Sequence, residues 1–256
     1  MSRTTLSNLP ALTLVLALAA GCSDSGGENG DRKTGKPERN DESIQYGKGV
    51  FEKNCEKCHG KEGKGDGPSR GLSIPKPRDF TKKHFKYVST ANGVPTEEDL
   101  FGVVSRGVPG TQMAAMEGTL TDYERWAAVY YVQRLAGIEN ETPVPLNIPP
   151  APAGADAKAG GRLFIMHCSK CHGVKGEGDG VAVGTLSDDH GDLISPRNLI
   201  TEALRGGDSP EALFARIKIG IPGTPMVPPE GYPALSNEEI WKLVQYLQEL
   251  RQSRIE

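Results

Sequence analysis

The sequence predicts a mainly α-helical protein built from two tandem copies of one module. Long segments recur at a constant offset, which indicates a duplicated unit. Apolar residues at helical spacing begin and end each copy, whereas the alternating pattern of a β-strand is scarce. Hydrophobic residues make up only 36% of the 256 residues, so each module has a small core that needs a further element to fill its centre.

The duplication is clearest in a motif that contains two cysteines and a histidine. The stretch CEKCHGKEGKGDG begins at Cys55, and CSKCHGVKGEGDG begins 113 positions later at Cys168. The similarity continues on both sides of the motif: YGKGVFEKNC corresponds to AGGRLFIMHC, PRDF to PRNL, LFGVVSRGVPGTQM to LFARIKIGIPGTPM, and WAAVYYVQRL to WKLVQYLQEL. The duplicated unit is therefore a whole module rather than the motif alone.

Each module is expected to open with a helix that runs into CxxCH and to close with an amphipathic helix. The closing helices follow LTDYERW and LSNEEIW, in which Thr121 and Ser236 can act as N-caps with a carboxylate three residues later. A shorter helix is expected to begin near Glu97 in one module and near Pro210 in the other. Glycine- and proline-rich loops separate these helices.

The repeats and the composition between them predict five segments. These are a signal peptide of lipoprotein type (1–21), a flexible tether (22–43), the first module (44–138), a proline-rich linker (139–156) and the second module (157–256). The tether is polar without periodicity, so it cannot build a core. The linker is expected to be a semi-rigid spacer that leaves the modules some freedom.

The N-terminus has the features of an export signal. Arg3 precedes a nearly continuous apolar run from Leu9 to Ala20, and this run is shorter than the roughly 20 residues needed to span a bilayer. The ending LALAAGC resembles a bacterial lipobox, although Ala19 stands where lipoproteins usually carry leucine. The resemblance implies acylation of Cys22 and anchoring to a membrane through lipid. A secreted protein without lipid is the alternative.

CxxC followed at once by histidine is the signature of covalent c-type haem attachment. Two thiols three positions apart lie about one helical turn from each other, so both can add to the vinyl groups on one edge of a haem. The adjacent histidine then presents its imidazole to the iron as the proximal ligand. The first module would use Cys55, Cys58 and His59. The corresponding residues of the second module are Cys168, Cys171 and His172.

Three other uses of the cysteines are less consistent with the motif. A zinc site would join two CxxC units, but their separation far exceeds the usual spacing of such ligands. A redox dithiol would follow a thioredoxin-like strand, which the sequence does not contain. Disulfides can form in an exported protein, but they do not require a histidine after each second cysteine. Two covalently bound haem c groups are the prediction.

Met113 and Met226 are the predicted sixth ligands of the two irons. Each lies 55 residues after the second cysteine of its module, in PGTQM and PGTPM. A thioether is a soft ligand, and His/Met coordination raises the reduction potential of a haem. A methionine is more often adaptable core filler, but the matched position in both repeats favours ligation. Met116 is the alternative in the first module.

Two arginines also recur at matched positions, Arg78 in PRDF and Arg197 in PRNL. A guanidinium group is well suited to bind a haem propionate through two hydrogen bonds, so both are candidate propionate contacts. The alternative is a solvated loop arginine. The remaining histidines lack a counterpart in the other module and are not expected to bind iron. These are His84, His167 and His190.

Each module resembles a class I cytochrome c domain, and the whole chain resembles a bacterial di-haem cytochrome c. CxxCH, GDG, PRDF, RGVPGT and the methionine carry the resemblance. It implies three to five helices and long loops around each haem, with one haem edge exposed. It also implies assembly in the periplasm or cell envelope, and redox partners such as a respiratory oxidoreductase or a terminal oxidase.

The predicted function is the transfer of single electrons between redox proteins, without catalysis by the chain itself. An iron held by histidine and methionine has no vacant position for a substrate. The alternative is an enzyme, a di-haem peroxidase or a thiosulfate-oxidising cytochrome, in which one iron opens. A third possibility is a dedicated subunit of a respiratory complex.

Charge adds a prediction about partners. The net charge of −3 gives no indication of nucleic-acid binding. The stretch from Gln45 to Arg134 contains fourteen Lys and Arg against eleven Asp and Glu. Four of its lysines surround the first CxxCH: Lys53, Lys57, Lys61 and Lys64. Such a basic rim could steer an acidic partner, whereas a merely solvated surface is the alternative.

Overall fold

Helices and loops form the described part of the chain, which comprises Met1 and residues 33–154, 156–227 and 235–253 of a computed structural model. The first module contains α1 (Asp41–Asn54), α2 (Glu56–His59), α3 (Glu97–Arg106) and α4 (Asp122–Ala136). The second contains α5 (Ala157–His167), α6 (Ser169–His172), α7 (Pro210–Ile219) and α8 (Asn237–Gln252). Single 3₁₀ turns occupy Arg70–Leu72 and Phe80–Lys82. Within the described ranges strand pairing is limited to two isolated bridges, so the predicted mainly α fold is confirmed.

The helix starts lie where the sequence places them. Thr121 accepts a hydrogen bond from the backbone N–H of Glu124, and the Glu124 side chain accepts one in return from the Thr121 backbone. Ser236 and Glu239 form the same reciprocal pair at α8. A cap of this kind stabilises a helix by about 1 kcal/mol, because it satisfies N–H groups that the helix leaves without partners.

The first and last helices of each module cross with their backbones in close contact. At Gly47 of α1 an added Cβ would overlap the carbonyl oxygen of Ala127 in α4, and at Gly160 of α5 it would overlap that of Lys242 in α8. The main chain of the last helix therefore lies directly against each glycine, and at Gly160 the Tyr246 side chain of α8 is also close, with its Cβ 2.9 Å from the added atom.

Two main hydrophobic clusters form around these crossings. The first includes Phe51, Phe80 and Tyr130, and the second includes Phe164, Phe214 and Trp241. Phe51 and Phe164, four residues after the crossing glycines, are each 1% exposed. Helix residues make up most of both clusters, and the segment between α2 and α3 adds Phe80, Phe85 and Val88, which are 8%, 6% and 1% exposed.

Part of the stretch predicted as a tether packs on the first module. The Pro37 carbonyl accepts a hydrogen bond of 3.1 Å from the Tyr130 hydroxyl, and the Lys36 ammonium lies 2.9 Å from the Glu97 carboxylate. The same ammonium lies 4.1 Å from the centre of the Trp126 ring. The polar composition did not reveal this packing, because basic residues of the tether bind the acidic first turn of α3 rather than a core.

The linker contacts both modules along its length. Val144 and Leu146 exchange backbone hydrogen bonds with Ala91 and Ser89 of the first module, at 2.7 and 3.2 Å. Further on, the Pro149 carbonyl accepts a hydrogen bond of 3.1 Å from the Trp241 indole N–H of the second module. Residues from Lys33 onward form one compact unit. The described linker is thus held against both modules rather than suspended between them.

Among the described residues, no helix has the length and apolar content needed to cross a membrane. The predicted signal peptide, apart from Met1, and the predicted lipidation site Cys22 lie outside the described residues.

The close crossings generate the first prediction. Gly47→Ala and Gly160→Ala should each lower the free energy of unfolding by about 2–3 kcal/mol, since the added methyl overlaps a backbone carbonyl that cannot rotate away. Denaturant unfolding of the haem-loaded protein, followed by circular dichroism, measures the change.

Gly49 provides a matched control on the same helix. It is exposed, and an added Cβ would meet nothing within 4 Å. Gly49→Ala should raise stability by about 0.5–1 kcal/mol through helix propensity. Equal effects at Gly47 and Gly49 would contradict the close-crossing interpretation.

Candidate haem-binding sites

Each CxxCH motif forms one turn of helix directly after the first helix of its module. The backbone N–H groups of Cys58 and His59 both donate to the Cys55 carbonyl, at 3.1 and 2.9 Å. The second motif repeats this geometry, with hydrogen bonds of 3.2 and 2.9 Å from Cys171 and His172 to Cys168. Two thiols and one imidazole therefore share a single short helix in each module, as the spacing predicted.

The glycines after the motif let the chain fold back over it. Gly60 and Gly173 have φ angles of 75° and 78°, a region that other residues rarely adopt. An added Cβ at Gly60 would overlap the Asp66 carboxylate, and one at Gly173 would overlap that of Asp179. The CHG and GDG parts of the repeated sequence are therefore in contact, which explains why they occur together.

The proximal histidines are buried and oriented by the backbone. Burial lowers the pKa of both His59 and His172, so the neutral imidazole is favoured. Nδ1 of His59 lies 3.2 Å from the Arg78 carbonyl oxygen, and an N–H donated there leaves Nε2 to bind metal. The His59 ring also stacks on Phe80 at 4.6 Å.

His172 has a looser version of the same contact. The backbone of Arg197 raises the pKa of His172 and so counteracts part of the effect of burial. This indicates that the Arg197 backbone lies near the imidazole. Nδ1 of His172 is buried and, within the described residues, has no partner in hydrogen-bond geometry. The histidine of the first module is thus the more firmly oriented of the two.

The four motif cysteines are free thiols. Burial raises the pKa of Cys55 and of Cys168 to about 11. Burial thus disfavours the charged thiolate form of these two thiols. Where the structure is described, no group of three or more His, Cys, Asp or Glu side chains could hold a metal ion together.

The predicted ligands Met113 and Met226 occupy twin loops. The Met113 carbonyl accepts a hydrogen bond of 2.9 Å from Val108 N–H, and the Met226 carbonyl accepts one of 2.7 Å from Ile221 N–H. Thr111 braces the first loop by accepting from Met113 N–H and donating to the Val108 carbonyl. Thr224 makes the same pair of hydrogen bonds in the second loop.

Met116, the alternative ligand in the first module, has a different environment. It packs against a small buried cluster formed by Val50, Leu120 and Ala128, between α1 and α4. This is the adaptable core position expected of a methionine without a ligand role.

The guanidinium groups of the predicted propionate contacts bind protein groups. Arg78 makes two hydrogen bonds to the Asp189 carboxylate, of 2.6 and 3.1 Å, and a third of 3.1 Å to the His84 carbonyl. In the described part of the chain its Nε is buried and has no partner. Arg197 Nε lies 2.8 Å from the Glu202 carboxylate.

Sequence reasoning missed the residues that join the two modules. Asp189 receives Arg78 from the other module, and Arg216 of α7 donates to the carbonyls of Lys86 (2.7 Å) and Val88. The available signal was a break in the repeat, because Arg216 stands where the first module has Val103. Asp189 had no such signal, since its loop differs in length between the modules.

Comparison with known proteins decides the family. The first module matches the model for cytochrome c oxidase, cbb3-type, subunit III, over residues 42–132, and the second matches the model for cytochrome c over residues 157–251. A solved chain from the Kuenenia stuttgartiensis reducing HAO-like protein complex is 35% identical, with a TM-score of 0.73. The similarity covers 80% of this chain and 96% of that chain. The chain belongs to the cytochrome c family. No curated protein matched it.

The protein is a di-haem cytochrome c, with two cytochrome c domains in tandem and two covalently bound haem c groups. The residues present fit those groups. Each pocket of this cytochrome offers two free thiols and a buried imidazole on one helical turn. Further along each module, a methionine loop that is held by its own hydrogen bonds offers a soft sulfur donor.

Proposed function

We propose that this cytochrome transfers single electrons between redox proteins through haems ligated by His59 and Met113 in one module and by His172 and Met226 in the other. The observation that carries the proposal is the identical hydrogen bonding of the two methionine loops. A haem c with these ligands supplies reversible one-electron exchange at a raised potential. No position for a substrate remains in such a site.

The chain's own residues set the conditions for that exchange. Each pair of cysteines, Cys55 with Cys58 and Cys168 with Cys171, would form thioether bonds to one haem. These bonds would hold the haem beside the adjacent histidine. The Arg78 carbonyl orients the His59 ring by accepting from Nδ1. Burial disfavours the charged imidazolium, so the ring stays a neutral ligand. Met116 is engaged in the α1–α4 cluster, which supports Met113 as the ligand of the first module.

The ligand assignment is testable. In the reduced protein, nuclear magnetic resonance should show two shifted methionine methyl signals, one from each ligand. Met113→Ala and Met226→Ala should each remove one signal and produce one high-spin haem, while two haems per chain are retained. Met116→Ala is the matched control and should keep both signals.

A different result would favour the alternative function. A haem that is high-spin in the unmodified protein, or one that binds cyanide rapidly, would point to a di-haem enzyme with an open iron.

The double variant Cys55→Ser with Cys58→Ser should leave one haem per chain. It separates loss of the cofactor from loss of the methionine ligand.

The basic rim of the first module supports docking of an acidic redox partner. Lys53, Lys57, Lys61 and Lys64 are all exposed. The second module has Met166 and Val174 at the positions of Lys53 and Lys61, 73% and 63% exposed. The second module keeps two exposed lysines in this region, Lys170 at the position of Lys57 and Lys175, but it has no basic residue at the positions of Lys53, Lys61 and Lys64. The basic rim is therefore more extensive in the first module, and the two modules are proposed to meet different partners.

Salt dependence tests this proposal. Electron transfer from an acidic donor through the first module should slow as ionic strength rises, because screening weakens the attraction. Lys53→Met with Lys61→Val copies the second module's residues and should flatten the dependence. Stopped-flow rates measured against salt concentration provide the comparison, and a flat rate in the unmodified protein would contradict the proposal.

Cytochrome c domains are typically found outside the cytoplasm, and we infer a lipid anchor at Cys22 at the end of a signal peptide spanning residues 1–21. Cys22→Ser should move the mature protein from the membrane fraction to the soluble fraction. Retention of that variant on membranes would contradict lipid anchoring, while unchanged haem content would show that folding is intact.

The solved relative is a chain of a reducing HAO-like protein complex. By analogy, we propose that this cytochrome also serves an oxidoreductase complex, as a bound subunit or as a carrier that visits it. Co-purification from membranes at low and high salt separates these two arrangements. A subunit stays associated at high salt, and a carrier is released.

A further inference from the structure

Each methionine loop lies close to an arginine of the other module, and that arginine, Arg78 or Arg197, occupies the same position in both repeats. At Gly223, in the loop that carries Met226, an added Cβ would lie 2.7 Å from Nη1 of Arg78. At Gly110, in the loop that carries Met113, it would overlap Nη1 of Arg197. The two glycines are equivalent in the repeat, 113 positions apart, and so the contact is reciprocal.

On one side this contact is reinforced by a continuous set of hydrogen bonds. Both terminal nitrogens of Arg78 donate to the Asp189 carboxylate, at 2.6 and 3.1 Å. The backbone N–H of Asp189 donates at 3.1 Å to the carbonyl of Gly223. Lys82 of the first module donates to the Asp189 carbonyl at 2.8 Å. Asp189 is thus held by the first module while it holds the loop of Met226.

The same arginine serves its own module through a different atom. Its backbone carbonyl orients His59, whereas its side chain points across the interface. The Arg78 and Asp189 side chains are 12% and 18% exposed, so this charge-assisted pair is largely shielded from water and salt. A single residue therefore contacts the proximal side of one pocket and the distal loop of the other.

We propose that the Arg78 side chain is a positioning residue for the methionine loop of the second module, acting through Asp189 and Gly223. The proposal rests on the assignment of Met226 as an iron ligand. In this role the Arg78 side chain acts on the haem site of the second module. A propionate contact would instead act on the haem site of the first module, to which Arg78 belongs.

The reciprocal approach is at least as close, but in the described part of the chain no hydrogen bond links Arg197 to the loop of Met113. The Arg197 guanidinium is paired within its own module, with Glu202 at 2.8 Å and the Ala203 carbonyl at 3.0 Å. Within the described ranges, the hydrogen bond that the loop of Met113 receives across the interface is a long one, of 3.4 Å, from Arg205 to the Pro109 carbonyl. Loss of Arg197 should therefore disturb Met113 less than loss of Arg78 disturbs Met226.

The test uses Arg78→Gln in the full-length, haem-loaded protein. This change keeps the backbone carbonyl that orients His59 and removes the charged pair. The methionine methyl signals of the reduced protein, assigned with the Met113→Ala and Met226→Ala variants, report each loop separately. The Met226 signal should shift or broaden and the Met113 signal should stay. Added imidazole, which binds only when a methionine loop opens, should bind the second haem about tenfold more tightly.

Three further variants separate positioning from general loosening of the interface. Asp189→Asn is nearly isosteric and should affect the same signal, and its effect should not add to that of Arg78→Gln in the double variant. Arg78→Lys retains charge without the two-pronged geometry and should give a partial effect. Arg70→Gln breaks another ion pair between the modules, to Asp192 at 3.5 Å, and should leave the Met226 signal unchanged.

The outcomes distinguish this inference from the proposed function. If Arg78→Gln and Asp189→Asn alter only the Met113 signal, or neither signal, the inference is overturned while the ligand assignment stands. If the unmodified protein lacks a signal that Met226→Ala removes, the assignment of Met226 fails first, and the inference falls with it. Should Arg78→Gln fail to assemble with haem, Asp189→Asn decides the question by the same signal.

Discussion

The close crossing of the first and last helices is the constraint on which each module depends. Gly47 and Gly160 bring the backbones of these helices into contact, and the first helix then runs directly into the cysteine motif. Helix packing therefore sets the position of the thiols, and the loop that follows orients His59 through the Arg78 carbonyl and the Phe80 ring. The chain can fold back over each motif because Gly60 and Gly173 adopt positive φ angles.

Sequence alone predicted the parts of the fold that are encoded locally. Capping at Thr121 and Ser236, the single-turn CxxCH helices and the positions of the methionine loops all follow from residues close together in the chain. Packing of Lys36 on α3 and Trp126 could not be predicted in this way, because a polar segment gains its partners only in the folded module. Periodicity describes one element at a time and contains no information about such partners.

The interface between modules was the largest omission, and its physical reason is similar. In sequence, a half-buried arginine such as Arg216 is indistinguishable from a solvated helix residue, yet it donates to two carbonyls of the other module. Burial lowers the pKa of its guanidinium because the charge loses contact with water. The two hydrogen bonds to carbonyls offset that loss. Comparison of the repeats is more informative than composition here, because Val103 at the equivalent position has no polar group to donate.

Duplication placed two similar surfaces together, and divergence then gave each a different task. The reciprocal glycine–arginine contacts preserve the symmetry of the original duplication, whereas the ionic partners of Arg78 and Arg197 differ. Because the linker and the interface hold both modules in one unit, electrons passing between the haems would cross a fixed distance rather than wait for domain encounters. A fixed geometry also allows the two pockets to influence each other through bonds, which two domains on a free spacer could not do.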